Sequence, residues 1–276
     1  MNVEKAQTLI STPLHNQQWH VSATSVCGSS HEKLGTPCQD ASCWITHENN
    51  ILLAAVADGA GSASHSEIGA QIAVQTAVET LHAEPNLENR LCSDPNTFKT
   101  VLTHTLKTAL KAIKKEAITR DIKPRELAST LIAIIATPHL IATAQIGDGA
   151  AVIQTQSGEL IALTTPDSGE YINQTTFLIS PNAIKTAQIN LWQGSPTHIA
   201  LFSDGLQMLA LQMPYGKPHT PFFSPLFQFI SKAGSTAQTQ LTSFLQSPRV
   251  RERTDDDLTL LLAALTNEPH ATENQT

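Results

Sequence analysis

Short apolar runs in the middle and at the end of the chain predict β-strands. ILLAAVA at 51–57 is one such run, and residues 129–165 contain four more, separated by turns that contain Gly or Pro. A further strand begins at Thr197 in THIALFSDG, and the last lies in DDDLTLLLAAL at 255–265. ASCWIT at 41–46 adds a strand before the first of these runs. The strands follow one another directly, as in a sheet of antiparallel neighbours.

Apolar residues at helical spacing predict three helices. SHSE at 64–67 has the form of a capping box and predicts a helix that ends near Ala83. Residues 96–120 and 235–246 predict two more helices, whereas the prolines of 214–225 predict a stiff loop. Strands beside strands, with helices apart from them, indicate an α+β fold of antiparallel sheets covered by helices and not βαβ units.

Composition places the chain among globular proteins and limits its partners. Of 276 residues, 41% are hydrophobic and 15% are charged, which fits one folded domain. We expect this domain to span residues 19–265, with polar tails at 1–18 and 266–276. The formal net charge of −7 argues against binding to nucleic acid.

The compartment is predicted from the same composition. No apolar run reaches the roughly 18 residues that span a bilayer, and the first residues lack the basic start and apolar middle of a signal peptide. The four cysteines form no CxxC pair, so we expect reduced thiols. These features predict a cytoplasmic protein that has no membrane partner.

Five aspartates stand at the ends of predicted strands. They are Asp40, Asp58, Asp148, Asp204 and Asp256. A single Asp-Gly is most often a turn, but several carboxylates at one rim of a sheet repel each other unless cations lie between them. Mg²⁺ and Mn²⁺ prefer carboxylate, carbonyl and water oxygens. The pattern therefore indicates a site for hard divalent cations.

Six blocks, five of which contain these aspartates, occur in the order found in the protein phosphatase 2C family. They are CQDA (38–41), VADGAGS (56–62), ASTLIAII (128–135), QIGDGAAV (145–152), LFSDGL (201–206) and DDDLTLLL (255–262). The chain resembles this family, and more closely its compact bacterial-type branch, which GEYINQTTFLIS (169–180) also resembles. The resemblance implies a four-layer α-β-β-α sandwich of two antiparallel sheets, each flanked by a helical pair.

The resemblance also implies an activity and its residues. The activity is metal-dependent hydrolysis of phosphoserine and phosphothreonine on proteins, by a water that bridges two Mn²⁺ or Mg²⁺ ions, with a serine/threonine kinase as a further partner. By position, Asp58 matches the family's bridging carboxylate and Gly59 matches its carbonyl ligand. Asp204 and Asp256 match the ligands of one ion. Asp40 matches a residue that holds metal-bound water, and Asp148 matches a ligand of a weaker third ion. The catalytic set is then Asp40, Asp58 and Asp204.

The chain departs from the family at three positions. Gln39 stands where glutamate is common, which removes a negative charge beside one ion. Gly35 stands where many members have an arginine that binds the substrate phosphate, and His31 and Lys33 are its nearest replacements as substrate ligands. Ala60 stands where many members have a histidine proposed as the general acid.

His65, Asp255 and Asp257 lie close in sequence to the matched motifs, but they do not match the family's functional residues. A metal-bound water or His65 is an alternative general acid, although His65 also fits an ordinary residue at a helix start. Asp257 replaces a common asparagine and Asp255 precedes the motif, so both are expected to be solvated neighbours of the site.

Two other functions fit parts of the sequence. The three departures suggest a pseudophosphatase that binds phosphorylated partners without turnover. A structural protein whose Asp-Gly pairs are only turns is the second alternative, but no D-x-D-x-D-G calcium loop supports it. The physiological substrate is not encoded in a motif, and we expect its recognition to depend on residues 164–196 and the proline-containing segment.

Overall fold

Two five-stranded antiparallel sheets face each other in a computed structural model that describes residues 17–47, 50–85, 87, 95–166 and 175–267. The first sheet has the strand order β1-β12-β9-β6-β7. Its strands are β1 (Gln17–Val26), β6 (Ala150–Thr155), β7 (Leu160–Ala162), β9 (Pro196–Phe202) and β12 (Leu258–Asn267).

The second sheet has the order β2-β3-β4-β5-β8. Its strands are β2 (Ala41–Thr46), β3 (Leu52–Ala57), β4 (Leu131–Ala136), β5 (Leu140–Ile146) and β8 (Gln188–Gln193). A separate two-stranded hairpin pairs β10 (Leu211–Gln212) with β11 (Lys217–Pro218).

Helices cover the outer face of each sheet. The described helices are α1 (Ser29–Leu34), α2 (Ser66–His82), α3 (Pro95–Thr119), α4 (Ala183–Thr186), α5 (Gln207–Ala210), α6 (Thr220–Lys232), α7 (Ala237–Leu245) and α8 (Pro248–Arg251), with 3-10 turns at Pro124–Leu127 and Asp204–Leu206. The pair α2 and α3 packs on the second sheet, and the pair α6 and α7 packs on the first. This arrangement confirms the predicted four-layer α-β-β-α sandwich.

The continuous apolar run of β3 follows from its place in the second of these four layers. Leu52, Ala54 and Val56 belong to the core between the two sheets. Leu53 and Ala55 point to the opposite face, where they pack under α2 and α3. Because successive side chains of a strand point to opposite faces, a strand covered on both sides must be apolar at every position.

Most predicted elements are confirmed, but the predicted loop at 214–225 is wrong. The four strands expected in residues 129–165 are β4 to β7, and the helix expected at 96–120 is α3. The predicted stiff loop at 214–225, in contrast, contains the start of α6. Pro221 lies in the first turn of α6, where a missing N–H breaks no helical hydrogen bond, and Pro225 is tolerated farther along. The buried stripe of Phe223, Leu226, Phe227 and Ile230 outweighs that one lost bond.

The predicted capping box at the start of α2 does not form. His65 is the N-cap residue, and its side chain makes no capping hydrogen bond. The Ser64 hydroxyl instead donates to Glu126 Oε2 at 3.0 Å, and the His65 N–H donates to the Glu126 carbonyl at the same distance. A contact 62 residues away in the chain thus replaces the local cap that the motif predicted.

The chain ends and cysteines complete the comparison with the sequence. Two residues of each predicted tail lie in strands, because β1 begins at Gln17 and β12 runs to Asn267. Residues 1–16 and 268–276 lie outside the described part, so the division into a domain and two tails stays a prediction. Cys27, Cys38 and Cys43 are free thiols as expected, and Cys92 is outside the described residues. Among the described helices, none is long and apolar enough to cross a membrane.

Candidate metal centre

The five predicted aspartates reach one rim of the sandwich. Asp58 follows the end of β3, Asp204 follows β9, and Asp148 lies in the turn from β5 to β6. Asp40 immediately precedes β2, and Asp256 lies two residues before the start of β12 at Leu258. Because neighbouring strands are antiparallel, the end of one strand and the start of the next lie side by side.

Three of these carboxylates form a tight group. Asp58, Asp148 and Asp204 each have an oxygen within 4.8 Å of the others. The Asp40 carboxyl is in hydrogen-bonding contact with that of Asp58. Carboxylates so close together are not stable as neighbouring anions without a proton or a cation between them.

Burial and mutual repulsion raise the pKa values of this group. Burial raises the pKa of Asp40 to about 7. Burial, and then the charges of Asp148 and Asp256, raise the pKa of Asp204 to about 8. The pKa of Asp58 lies well above its ordinary value because of burial and the charges of Asp40, Asp204 and Asp148. The metal-free site therefore holds protons where a cation would carry the positive charge.

Hydroxyl side chains orient two of the carboxylates, those of Asp40 and Asp148. Ser203 Oγ donates to Asp40 Oδ2 at 2.6 Å and accepts the Thr259 N–H at 3.0 Å. Thr175 Oγ1 donates to Asp148 Oδ2 at 2.5 Å. Sequence reasoning missed Ser203 and Thr175, since a lone Ser or Thr has no motif that separates this role from ordinary packing.

Backbone contacts fix the positions of Asp58 and Gly59. Thr130 holds Asp58 from both sides, because its hydroxyl accepts the Asp58 N–H at 2.9 Å and its own N–H donates to the Asp58 carbonyl at 2.8 Å. The Gly59 N–H donates to the Gln39 carbonyl at 3.1 Å. A Cβ on Gly59 would lie 2.7 Å from that carbonyl oxygen, so only glycine fits there without a shift of the backbone.

Asp256 lies at the exposed side of the site. It is outside the group of three, but its charge contributes to the raised pKa of Asp204. Its Oδ1 accepts the Asp257 N–H at 2.8 Å, which fixes the carboxylate beside the backbone of its own loop. The charge of Asp256 thus acts on Asp204, and the binding of a shared cation by these two residues stays a prediction.

Asp257 is not the solvated neighbour that the sequence predicted. Its side chain is only 2% exposed and accepts two backbone N–H groups, from Gly28 at 2.6 Å and from Gln39 at 2.5 Å. His31 Nδ1 lies 2.9 Å from Asp257 Oδ2. Asp257 thus ties α1 and the segment before Asp40 to the start of β12. Asp255, in contrast, is exposed as expected.

The proposed substrate ligands lie on or beside α1. His31 Nδ1 faces Asp257, whereas Lys33 is exposed to solvent near the end of the helix. Gly35 ends α1 in the left-handed conformation, with φ of 67°. The binding of phosphate by His31 or Lys33 stays a prediction.

The region of the missing histidine is apolar. Ala60 is buried against Ala63 and Ala128, with Phe177 packed beside them. His65 Nδ1 lies 2.9 Å from Ser64 Oγ and 3.9 Å from Glu126 Oε2, so that nitrogen is engaged at the start of α2. The role of His65 as a general acid also stays a prediction.

The donor set fits hard divalent cations. Carboxylate oxygens dominate it, and Gln39 Oε1 is a buried acceptor that no described residue supplies with a donor. Buried acceptors are rarely left without a partner, and a cation or its bound water satisfies such an oxygen. The residues present therefore suit the two-cation site that the sequence predicted.

Comparison with known proteins agrees with this geometry. Residues 27–246 match the family model for protein phosphatase 2C. The chain is 34% identical over 258 residues to serine/threonine-protein phosphatase 3 of Escherichia coli strain K12, which covers 89% of this chain and 98% of that protein.

Solved structures with the same fold are also bacterial phosphatases. The serine/threonine phosphatase of S. agalactiae has a TM-score of 0.63 and 16% identity, over 90% of this chain and 100% of that one. The catalytic domain of PstP, solved with two manganese ions, has a TM-score of 0.60 and 16% identity, over 91% of this chain and 99% of that one. Because the family model matches about four fifths of this chain, the chain belongs to the protein phosphatase 2C family.

Proposed function

We propose that this chain is a metal-dependent serine/threonine protein phosphatase, which hydrolyses phosphoserine and phosphothreonine on proteins. The observation that carries the proposal is the convergence of Asp58, Asp148 and Asp204, whose oxygens lie within 4.8 Å of one another. Carboxylates from three separate strand ends have no structural reason to meet at that distance. Family membership and the identity with the E. coli phosphatase support the same activity.

The chain's residues would hold the ions and orient the reacting groups. Asp58 would be a ligand of both cations, with the Gly59 carbonyl as a further ligand. Asp204 and Asp256 would be ligands of one of these ions, and Asp148 would bind a weaker third ion. Bound divalent cations lower the pKa of water toward neutrality and neutralise charge on phosphoryl oxygens. Asp40 is held by Ser203 and would accept a hydrogen bond from the attacking water. Hydrolysis of this kind needs no protein nucleophile.

The ions and partners are part of the proposal. Mn²⁺ or Mg²⁺ suits an oxygen-only ligand set, and the manganese-bound PstP domain supports two such ions. The substrates would be phosphorylated proteins, with recognition that involves residues 164–196, of which 167–174 lie outside the described part. A kinase partner, a cytoplasmic location and the absence of nucleic-acid or membrane partners stay predictions.

Turnover of a phosphothreonine peptide with added and then chelated Mn²⁺ tests the proposal. We expect turnover that depends on the ion and is lost in Asp58→Asn and Asp204→Asn. Asp121→Asn is the matched control, because Asp121 is exposed, is not one of the predicted metal ligands and has a φ of 57°, which asparagine also adopts. The control should keep wild-type turnover.

The same experiment separates the two alternatives. Tight binding of the phosphopeptide without turnover under Mn²⁺ or Mg²⁺ would identify a pseudophosphatase and contradict the proposal. Absence of ion binding by calorimetry would leave only a structural role for the aspartates. A pure phosphopeptide-binding module has no use for three carboxylates that repel its ligand, which is why we favour catalysis.

A further inference from the structure

A large cavity lies in the outer helical layer of the first sheet, apart from the aspartates. Its volume is about 680 Å³, and α6, α7 and α8 contribute most of its walls. The apolar lining residues include Phe222, Leu226, Phe229, Leu241, Phe244 and Val250. Sites for small organic ligands usually measure about 300–1,000 Å³ and have mostly apolar walls with a few polar groups, and this cavity has both properties.

The charged residues that line this cavity are all basic. Arg249 and Arg253 flank it, His219 also contributes, and no Asp or Glu occurs among the described lining residues. This is unusual for a chain whose formal net charge is −7. An apolar cavity with only cationic groups at its margin complements an apolar molecule that carries one negative charge.

The two arginines have no partner within the described protein. Arg251, which lies between them, pairs with Glu32 at 2.5 Å and donates to the Cys27 carbonyl at 3.2 Å. Among the described residues, no carboxylate lies within ion-pair distance of the Arg249 or Arg253 guanidinium. The α8 segment thus uses one arginine to hold α1 and leaves two for a ligand.

Part of the cavity wall is aromatic. The ring centroids of Phe222 and Phe244, from α6 and α7, lie 6.4 Å apart, and Phe222 makes an edge contact with the buried Phe223 at 5.1 Å. The rings therefore pack against each other, and their faces and edges towards the cavity suit a further aromatic ring in an offset-stacked or edge contact. A flat, multi-ring body fits these walls better than a charged or strongly hydrated one.

We propose that this cavity binds a small aromatic anion, whose ring system lies against Phe222 and Phe244 and whose acidic group is held by Arg249 and Arg253. The acidic group is a carboxylate or sulfonate, which guanidinium groups bind through paired hydrogen bonds. This site is separate from the phosphatase centre, and the inference does not rest on the proposed function.

Fluorescence titration with two matched dyes tests the site. Anilinonaphthalene sulfonate carries the anion, and phenylnaphthylamine has the same ring system without it. We expect one saturable sulfonate site per chain, with affinity at least about tenfold above that of the neutral dye. Arg249→Ala combined with Arg253→Ala should remove this preference and leave the neutral dye unaffected. Lys111→Ala, an exposed lysine on α3, is the control that removes a cation elsewhere.

A second variant tests the position of the dye independently of charge. Gln240 is an exposed lining residue, so Gln240→Trp should fill the cavity without disturbing the core and should weaken both dyes. Equal affinities for the two dyes, no effect of the double arginine variant, or an unchanged affinity in Gln240→Trp would overturn the proposal. A concentration-dependent dimer that Gln240→Trp disrupts, without dye binding, would assign the cavity to a second copy of the chain instead.

Discussion

Replacement of Asp58 by asparagine should stabilise the metal-free protein while it removes metal binding. Asp58 lies in the group of three carboxylates whose oxygens are within 4.8 Å of one another, and it contacts Asp40 as well. In the absence of a cation these groups repel one another at every pH at which they are ionised. The asparagine side chain has nearly the same shape but cannot carry the charge.

The size of the effect follows from the distances. At an effective dielectric constant of about 20, two unit charges 4.8 Å apart repel by about 3.5 kcal/mol. Asp58 takes part in two of the three pairs within the group, but uptake of a proton relieves part of this energy. We therefore expect Asp58→Asn to raise the free energy of unfolding of the metal-free protein by about 2–4 kcal/mol near pH 8, or roughly 5–15 °C in Tm.

The sign of the pH dependence follows from the raised pKa values. A carboxyl that titrates near 3.9 in the unfolded chain and at about 8 in the folded chain, as Asp204 does, binds a proton on folding between these values. The metal-free wild-type protein should then lose stability as the pH rises from about 4 to about 8. The gain from Asp58→Asn should be small near pH 5 and large near pH 8.

Urea denaturation with a chelator present, at about pH 5 and about pH 8, measures this difference. Excess Mn²⁺ should stabilise the wild type and leave Asp58→Asn unchanged, while Asp121→Asn should follow the wild type in every condition. A variant that is no more stable than the wild type near pH 8 would refute the reasoning, as would a gain of the same size at both pH values.

Three further predictions concern the surroundings of this group. Asp257→Ala should lower the unfolding free energy by about 2–4 kcal/mol and weaken Mn²⁺ binding, because it leaves two buried N–H groups unpaired. Asp257→Asn should retain one acceptor and lose less stability. Calorimetry with and without Mn²⁺ compares the two variants. Gly205→Ala should reduce Mn²⁺ affinity at least about tenfold with all ligands intact, since its Cβ would lie 2.2 Å from the Asp257 carbonyl oxygen; wild-type affinity by titration calorimetry would contradict this. Mn²⁺ affinity should rise with pH up to about 8, because the ion displaces the protons of Asp40 and Asp204. Titration in two buffers of different ionisation enthalpy measures the number of protons released. An Mn²⁺ affinity that does not change with pH would disprove the prediction.

Local patterns predicted the centre of the fold well. The strands β3 to β7 are apolar runs that end in turn residues, and both signals are visible within a few residues. The aspartates were predicted for the same reason, because each stands beside such a strand end. The edge strands β1 and β8 were missed, since their half-buried patterns contain too few apolar residues to stand out.

Contacts between distant segments account for what the sequence did not predict. Asp255, Asp256 and Asp257 are adjacent and chemically identical, yet the first two are exposed, the charge of Asp256 acts on Asp204, and Asp257 is buried. The difference arises because Gly28 and Gln39, more than 200 residues away, direct their N–H groups at Asp257. The helix α6 likewise depends on a phenylalanine stripe that fits the sheet beneath it, which proline counting does not reveal.

The four-residue helix α5 connects two parts of the molecule that are otherwise far apart in function. Met208 and Leu209 on α5 line the aromatic cavity, while the Gln207 side-chain amide donates to the Asp148 carbonyl and Asp204 opens the preceding turn. A compound that shifts α5 would alter the affinity for ions by some factor, and thermodynamic reciprocity requires the ions to alter the affinity for that compound by the same factor. The concentration of metal ions and that of an organic ligand would then both act on one short segment of backbone.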